Sequence, residues 1–248
     1  MNKKISTPIG LTIIIVLAVL LVGGIFAYQY YSAQKQEIKT PNLAVRSDAV
    51  KKSQKIEDLV PSGWKIIEQT EGYLNKDNLS DKAVVIEKET NNSSADEASP
   101  RALLIAFKDS DGFYNFFIRS DKAILTADQG GIFGDPFAGL SIENNSLSIE
   151  FYGGSNWRWD IVYRFRYQDA GLYLIEKTDD NYYNAVDCVY QKNDYNFLTA
   201  KRKEITSSRW VGGDASQIQE NLPCSQTEKW FNIDKKELLN LQSFDVEL

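Results

Sequence analysis

From Arg158 to Gln168 apolar and polar side chains alternate. Trp159, Ile161, Tyr163, Phe165 and Tyr167 fall on one side of an extended chain, and Arg158, Asp160, Arg164, Arg166 and Gln168 on the other, with Val162 the exception. Successive side chains of a strand point to opposite faces, so a period of two over this length predicts an antiparallel strand with one buried and one wet face. Leu147, Ile149 and Phe151 repeat the pattern against Ser148 and Glu150. Joining the two runs through a three-residue loop, Gly153-Gly154-Ser155, aligns both apolar faces and sets Glu150 opposite Arg158 as an opposite-charge pair. A loop one residue longer would set Phe151 against Arg158 and mix the faces.

The same reading predicts strands over Ala83 to Glu87, Ala102 to Phe107, Tyr114 to Arg119, Ala123 to Leu125, Leu172 to Glu176, Val186 to Gln191 and Asn196 to Lys203. Asp109-Ser110-Asp111-Gly112 separates two β-rich runs as a hairpin turn, and Asn91 to Pro100 has the composition of an exposed loop. Helical periodicity is weak; Asp234 to Leu241 is the one short helix predicted, with Asp234 as its N-cap. The expected fold is mainly β: an antiparallel sheet, sandwich or barrel-like domain. One N-terminal transmembrane helix precedes it.

That helix is predicted from Ile9 to Ala27, an apolar run without charge. About 20 helical residues cross a hydrocarbon core of roughly 30 Å. Lys3 and Lys4 precede the run and Tyr28, Tyr30 and Tyr31 follow it, which favours an N-inside orientation with aromatic rings at the headgroup layer. The reading is a signal anchor over 9–31 after a cytoplasmic 1–8, a stalk over 32–55, and an extracytoplasmic domain over 56–248. A cleaved signal peptide is the alternative. Ala27 and Ala33 are its candidate cleavage sites, but Ile25 and Tyr31 break the small-x-small pattern. The lipid bilayer is therefore an expected partner, through residues 9–31.

Composition narrows the chemistry. The 248 residues contain no His and two Cys. Ser-His and Cys-His nucleophile pairs, His-ligated metals and thiolate clusters are thereby removed. Taking Lys3 and Lys4 from the totals of 28 basic and 34 acidic residues leaves 26 against 34, a net of −8 beyond the anchor. Such a domain is repelled by nucleic acid. Cys188 and Cys224 read as a disulfide in an oxidising exterior, with two buried free thiols as the alternative.

Two segments carry resemblances. Tyr73-Leu74-Asn75-Lys76-Asp77-Asn78-Leu79-Ser80-Asp81 resembles the Asp-x-Asn-x-Asp-Gly-x-x-Asp calcium loops of FG-GAP-like and dockerin-like repeats. Asn75, Asp77 and Asp81 match. Tyr73 replaces the first Asp, and Asn78 replaces the Gly, a mild change because Asn tolerates the left-handed conformation. Calcium requires six to eight oxygens, so these three residues are the candidate Ca²⁺ ligands, against a solvated turn ahead of a strand. The longer string comprises Gly130-Gly131-Ile132-Phe133-Gly134-Asp135-Pro136-Phe137, Tyr152-Gly153-Gly154-Ser155-Asn156-Trp157-Arg158-Trp159, Phe165-Arg166-Tyr167-Gln168 and Tyr173-Leu174-Ile175. It resembles an uncharacterised family of bacterial secreted and envelope proteins with a GGxFGDPF…YGGSxWRW…FRYQ…YLI pattern, over roughly residues 56–205. The resemblance implies a domain identity and an envelope setting, and no mechanism.

Trp157 and Arg158 beside a Gly-Gly turn offer an aromatic and guanidinium platform. Arg164 and Arg166 share the polar face with Arg158, which suits an anionic glycan. Against this, alternating aromatics are usually core and surface Arg usually pairs with neighbours such as Glu150 or Asp160. Asp135, fixed in a Gly/Pro loop, is the one carboxylate singled out. The expected function is a membrane-anchored, non-enzymatic module that binds a cell-envelope glycan or protein. The alternatives are a structural subunit of an envelope complex and a carboxylate-dependent glycan hydrolase.

Overall fold

The computed structural model describes residues 51–89 and 98–246. The predicted anchor over 9–31 and the stalk up to residue 50 lie outside the described residues, as does most of the loop predicted over 91–100. Among the described residues no helix is long and apolar enough to cross a membrane.

Twelve strands form two antiparallel sheets. In chain order they are β1 Lys52–Ser53, β2 Trp64–Gly72, β3 Asp81–Lys88, β4 Arg101–Lys108, β5 Tyr114–Ser120, β6 Phe137–Glu143, β7 Ser146–Gly154, β8 Trp157–Gln168, β9 Gly171–Tyr183, β10 Tyr190–Asn196, β11 Lys201–Ser207 and β12 Gln226–Asn232. The smaller sheet has the order β1-β5-β4-β3-β2 and the larger the order β12-β11-β10-β9-β8-β7-β6. Pairing of Lys52 and Ser53 with Asn115 and Tyr114 places the first ladder residues upstream of Ile56.

The two sheets share one core. Val85, Leu103, Ile105 and Ile118 of the smaller sheet pack against Leu147, Ile149, Phe151, Ile161, Tyr163 and Phe165 of the larger. Full burial of a side chain such as Phe151 or Phe165 stabilises the fold by about 1.5–3 kcal/mol. The smaller sheet is also covered on its other face. Ile56 and Leu59, on a 3-10 turn over Ile56–Leu59, pack with Val84, Ile86, Ala102, Leu104, Ala106 and Tyr114. Burial on both sides accounts for the unbroken apolar runs of β3 and β4, where the larger sheet alternates.

The β7–β8 hairpin departs from its predicted register. Gly154 pairs with Arg158, Tyr152 with Asp160, Glu150 with Val162 and Phe151 with Ile161. The turn lies at Ser155-Asn156, and Glu150 does not face Arg158. Gly153 and Gly154 are strand residues. A Cβ on Gly153 would lie 2.4 Å from the Trp159 ring, and Gly154 sits at φ +106 with its amide donating to Gly130 O at 3.0 Å. The glycines thus serve the approach of an indole and of a second loop. The slip is an even number of residues, so both apolar faces still meet.

Other expectations shift at their ends. Ala123 to Leu125 forms no ladder, yet all three residues are buried as a loop plug in the core. The strand predicted from Val186 begins at Tyr190, and the one predicted from Asn196 begins at Lys201. Asn196 Oδ1 accepts from Thr199 N at 2.9 Å to shape the turn between β10 and β11. Strands β2, β6 and β12 were not predicted: β2 and β12 are rich in exposed polar residues, and β6 contains Gly and Ser. Asp234 to Leu241 is not helical: it has no regular element, and Asn240 forms an antiparallel bridge with Tyr173. Leu174 N donates to Leu239 O at 2.9 Å and Leu241 N to Leu172 O at 2.7 Å. Strand β10 ends opposite Glu176, so the start of β9 presents free backbone groups, and the tail satisfies them.

Candidate functional site

The loop between β5 and β6 is tied to the sandwich at several points. Gly130 N donates to Gly134 O at 2.9 Å, Gly154 N to Gly130 O at 3.0 Å, Ile132 N to Gly154 O at 3.2 Å and Tyr152 N to Pro136 O at 2.8 Å. Asp135 anchors its far side. Its two oxygens accept from Arg101 Nη1 and Nη2, each at 2.6 Å, and Oδ1 also accepts from Phe137 N at 3.0 Å. Arg101 is 5% exposed; its Nε donates to Glu87 Oε2 at 3.0 Å and its Nη1 to Leu125 O at 3.3 Å. The Arg101 hydrogen bonds hold the Asp135 carboxyl below the usual range against its burial. Asp135 is therefore an ionised clamp between the loop and the smaller sheet. Arg101 and Glu87 were not singled out from sequence. The available signal was a charged residue opening an apolar strand, which demands a buried partner.

The clamped loop presents Ile132, 76% exposed, and Phe133, 42% exposed. Arg158 lies 4.4 Å above the Phe133 ring, donates Nη1 to the Tyr152 hydroxyl and Nε to Ser155 O at 3.3 Å. Phe133 and Tyr152 are 5.6 Å apart. Tyr182, opposite Arg158 across β8 and β9, has its hydroxyl pushed up to about 12 by burial and then by its hydrogen bond with Tyr152. Trp157 packs on Tyr183 at 4.8 Å and edge-on to Trp210 at 5.6 Å. One end of the larger sheet thus carries Phe133, Tyr152, Trp157, Arg158, Tyr182 and Tyr183. Cys188 and Cys224 are disulfide-bonded, joining the β9–β10 loop to the segment that leads into β12.

The remaining predicted site residues fall elsewhere. Arg164 and Arg166 share the outer face of β8 with Arg158, but six residues of strand, about 20 Å, separate Arg158 from Arg164. Arg164 donates Nη1 to Glu176 Oε2 at 2.5 Å and Nε to Ser148 Oγ at 3.4 Å. Arg166 stands opposite Ser146, and among the described residues it makes no ion pair. The two arginines line a cleft of about 170 Å³ with Ser146, Ser148 and Glu176.

Asn75, Asp77 and Asp81 lie together in the β2–β3 turn, each engaged locally. Asn75 Nδ2 donates to Asp77 Oδ2 at 2.8 Å, and Asp77 Oδ1 accepts from Leu79 N at 2.8 Å. Asn78 takes φ +63, the left-handed conformation expected of it. Asp81 is fully buried. Its Oδ2 accepts from Leu74 N at 2.9 Å and Asn75 N at 3.3 Å, and its Oδ1 accepts from Lys108 N at 3.0 Å. Burial raises its carboxyl above the ordinary value, against those three amides. Among the described residues no group of three or more Cys, Asp or Glu side chains is gathered to hold a metal ion.

No protein-family model matches the chain, and neither does a curated protein or a solved structure.

Proposed function

We propose that this chain is a membrane-anchored, extracytoplasmic and non-enzymatic binding module for a cell-envelope component, glycan or protein. Its contact surface is the aromatic end around Phe133 and Arg158. The observation that carries this reading is the exposed Ile132-Phe133 pair on a loop held by four backbone hydrogen bonds and an ion pair. Exposed apolar side chains on a rigid loop are pre-organised, so little conformational entropy is lost on contact. Tyr, Trp and Arg are also the residue types that dominate binding energy at interfaces. The guanidinium and tyrosine hydroxyls suit sugar hydroxyls and carboxylates equally. The predicted anchor and the envelope-family resemblance support the location.

A second reading, an accessory subunit of an envelope complex, is favoured by β12. All seven of its residues are exposed, and among the described residues no strand pairs with its outer edge.

The test is co-sedimentation of the full-length protein in detergent with isolated cell-wall sacculi at two salt concentrations. Wild type pellets and Phe133→Ala does not. Equal pelleting of the two proteins places the contact elsewhere. No pelleting of either removes the wall glycan and leaves a protein partner.

A further inference from the structure

On the outer face of the larger sheet, Asp160 of β8 stands directly opposite Asp180 of β9. Side chains in such register have Cβ atoms about 4.5–5.5 Å apart, and like charges there repel. Among the described residues neither carboxylate has a cationic partner at ion-pair distance. Among the described residues Asp160 makes no side-chain hydrogen bond or ion pair, and Asp180 Oδ1 is buried without a hydrogen-bond partner.

The surroundings do not supply the missing donor. From β7, Tyr152 faces Asp160, with Glu150 and Gly154 as diagonal neighbours. Along β8 lie Arg158 and Val162; Arg158 is occupied by Tyr152, Ser155 O and the Phe133 ring. On β9, Tyr182 and Thr178 flank Asp180. On β10, Lys192 faces Asp180, with Tyr190 and Asp194 beside it, and Asp194 accepts from the Thr178 hydroxyl at 3.0 Å. Lys192 attracts the Asp180 charge but stands two strands from Asp160. Asp179 repels from the opposite face, where Lys177 and Asn193 hold it.

We propose that Asp160 and Asp180 share one proton in the folded domain, forming a carboxylic acid pair that makes the outer face of the larger sheet pH-responsive. A protonated carboxyl on one residue donates to the other carboxylate. This removes the like-charge contact and gives the buried oxygen of Asp180 a partner. Burial raises both carboxyls above the ordinary aspartate range. For Asp180, Asp160 adds to the rise and Lys192 opposes it. The inference is independent of the binding reading, although Tyr152 and Tyr182 connect the pair to the Arg158 end.

A group whose folded pKa lies above its unfolded value, about 3.9 for Asp, stabilises the fold fully below that value. The contribution is lost as pH rises through the folded pKa. Wild type should therefore become less stable on passing from mildly acid to neutral pH.

The experiment is a carboxyl ¹³C titration, between pH 3 and 8, of the full-length protein in detergent with labelled Asp. The pair appears as two carboxyl resonances that share two titration steps, the upper one displaced above the ordinary aspartate range. Asp81, also raised, titrates in one step and is distinguished by that. In Asp180→Asn the shared steps collapse to a single one. That variant also shows a smaller loss in Tm as pH rises above the ordinary aspartate range, by about 3 °C for each pH unit over which wild type retains the shared proton, the remaining loss belonging to Asp81. Two aspartates titrating independently near pH 4 in wild type overturn the proposal, and that result needs no variant to fold. An unchanged stability–pH curve in a folded Asp180→Asn overturns it as well.

Discussion

Arg101 and Asp135 meet fork to fork, with Nη1–Oδ1 and Nη2–Oδ2 both at 2.6 Å, across a junction between the smaller sheet and the 130–136 loop. The arginine is buried and shares its other donors with Glu87 and Leu125 O, while the Asp135 side chain is 46% exposed. Removing either partner therefore has unequal consequences. Arg101→Met takes the guanidinium from both carboxylates; Glu87 keeps Lys65 at 2.9 Å and Asp135 turns to solvent, so about 3 kcal/mol is expected in urea denaturation, the low end for breaking a buried pair. Asp135→Asn leaves Arg101 its Glu87 partner, and solvent screens the lost charge, so about 1 kcal/mol is expected. Asp135 and Glu87 both titrate below the ordinary range: for Asp135, Arg101 prevails over burial, and for Glu87 burial is outweighed by Lys65 and Arg101. Their contribution is complete above the unfolded carboxylate pKa, about 4, and is lost as pH falls through the folded values. Acid unfolding of Asp135→Asn should accordingly be less steep than that of wild type.

The strand alternation of β8, the apolar runs of β3 and β4 and the Asp109 hairpin were legible in the sequence because burial on a sheet face imposes a period, or abolishes it, locally. The clamp was not. Arg101 and Asp135 are 34 residues apart, and nothing in either neighbourhood names the other. The β7–β8 turn was misplaced because glycine pairs signal turns on average, whereas Gly153 answers to Trp159 and Gly154 to Gly130, contacts that depend on the tertiary structure. For the same reason the face bearing Arg158, Arg164 and Arg166 was read correctly as one face, but its division into an aromatic end and a serine-lined cleft was not. The tail failed as a helix because its choice is decided by the open edge of β9.

Gly153→Ala tests the turn assignment. A methyl group would meet the Trp159 indole at 2.4 Å and Gly130 O at 2.9 Å, so the ring or the loop must move. Overpacking of this kind costs about 1–3 kcal/mol. The expected readout is a shift in tryptophan emission together with a lower urea midpoint. A turn residue at position 153 would tolerate the methyl with neither change.

Cys188→Ser with Cys224→Ser opens a cross-link of sequence separation 36. The chain-entropy relation puts its stabilisation at about 4 kcal/mol. The bond closes the part of the sheet that extends past the shared core, where Asn193 and Ser207 are the buried side chains of β10 to β12. Hydrogen exchange should therefore quicken first in β10, β11 and β12, with β3, β4 and β8 keeping their protection until global unfolding. Uniform loss of protection would show that the disulfide stabilises the domain as a whole.

Phe133→Ala separates binding from folding. The side chain is 42% exposed, and its loop keeps every backbone bond without it. Its thermal midpoint should stay within the range of a neutral surface change, about 0.5 kcal/mol. Retention on sacculi should fall nonetheless, because the apolar surface beside Arg158 is gone. A variant that loses stability and binding together would instead make Phe133 a packing residue for Arg158.

The C-terminal tail closes the open end of the core. Leu241 is fully buried and Phe244 is 4% exposed, with the Phe244 ring centroid 5.0 Å from that of Tyr163 and 5.1 Å from that of Phe165. The backbone is tied at both ends of this segment, by Leu241 N to Leu172 O at 2.7 Å and by Val246 N to Lys122 O at 2.9 Å. Phe244→Ala removes a ring from between two β8 aromatics and should cost about 3–5 kcal/mol, since those rings belong to strands that cannot collapse into the space. Leu239→Ala, at a position 54% exposed, should cost under about 1 kcal/mol. A helix over Asp234 to Leu241 would put Leu238 and Leu241, three residues apart, on one buried face and would predict comparable losses at the two. The observed tail, with Leu241 fully buried and Leu238 only half-buried, predicts the larger loss at 241, which paired urea titrations of Leu238→Ala and Leu241→Ala decide directly.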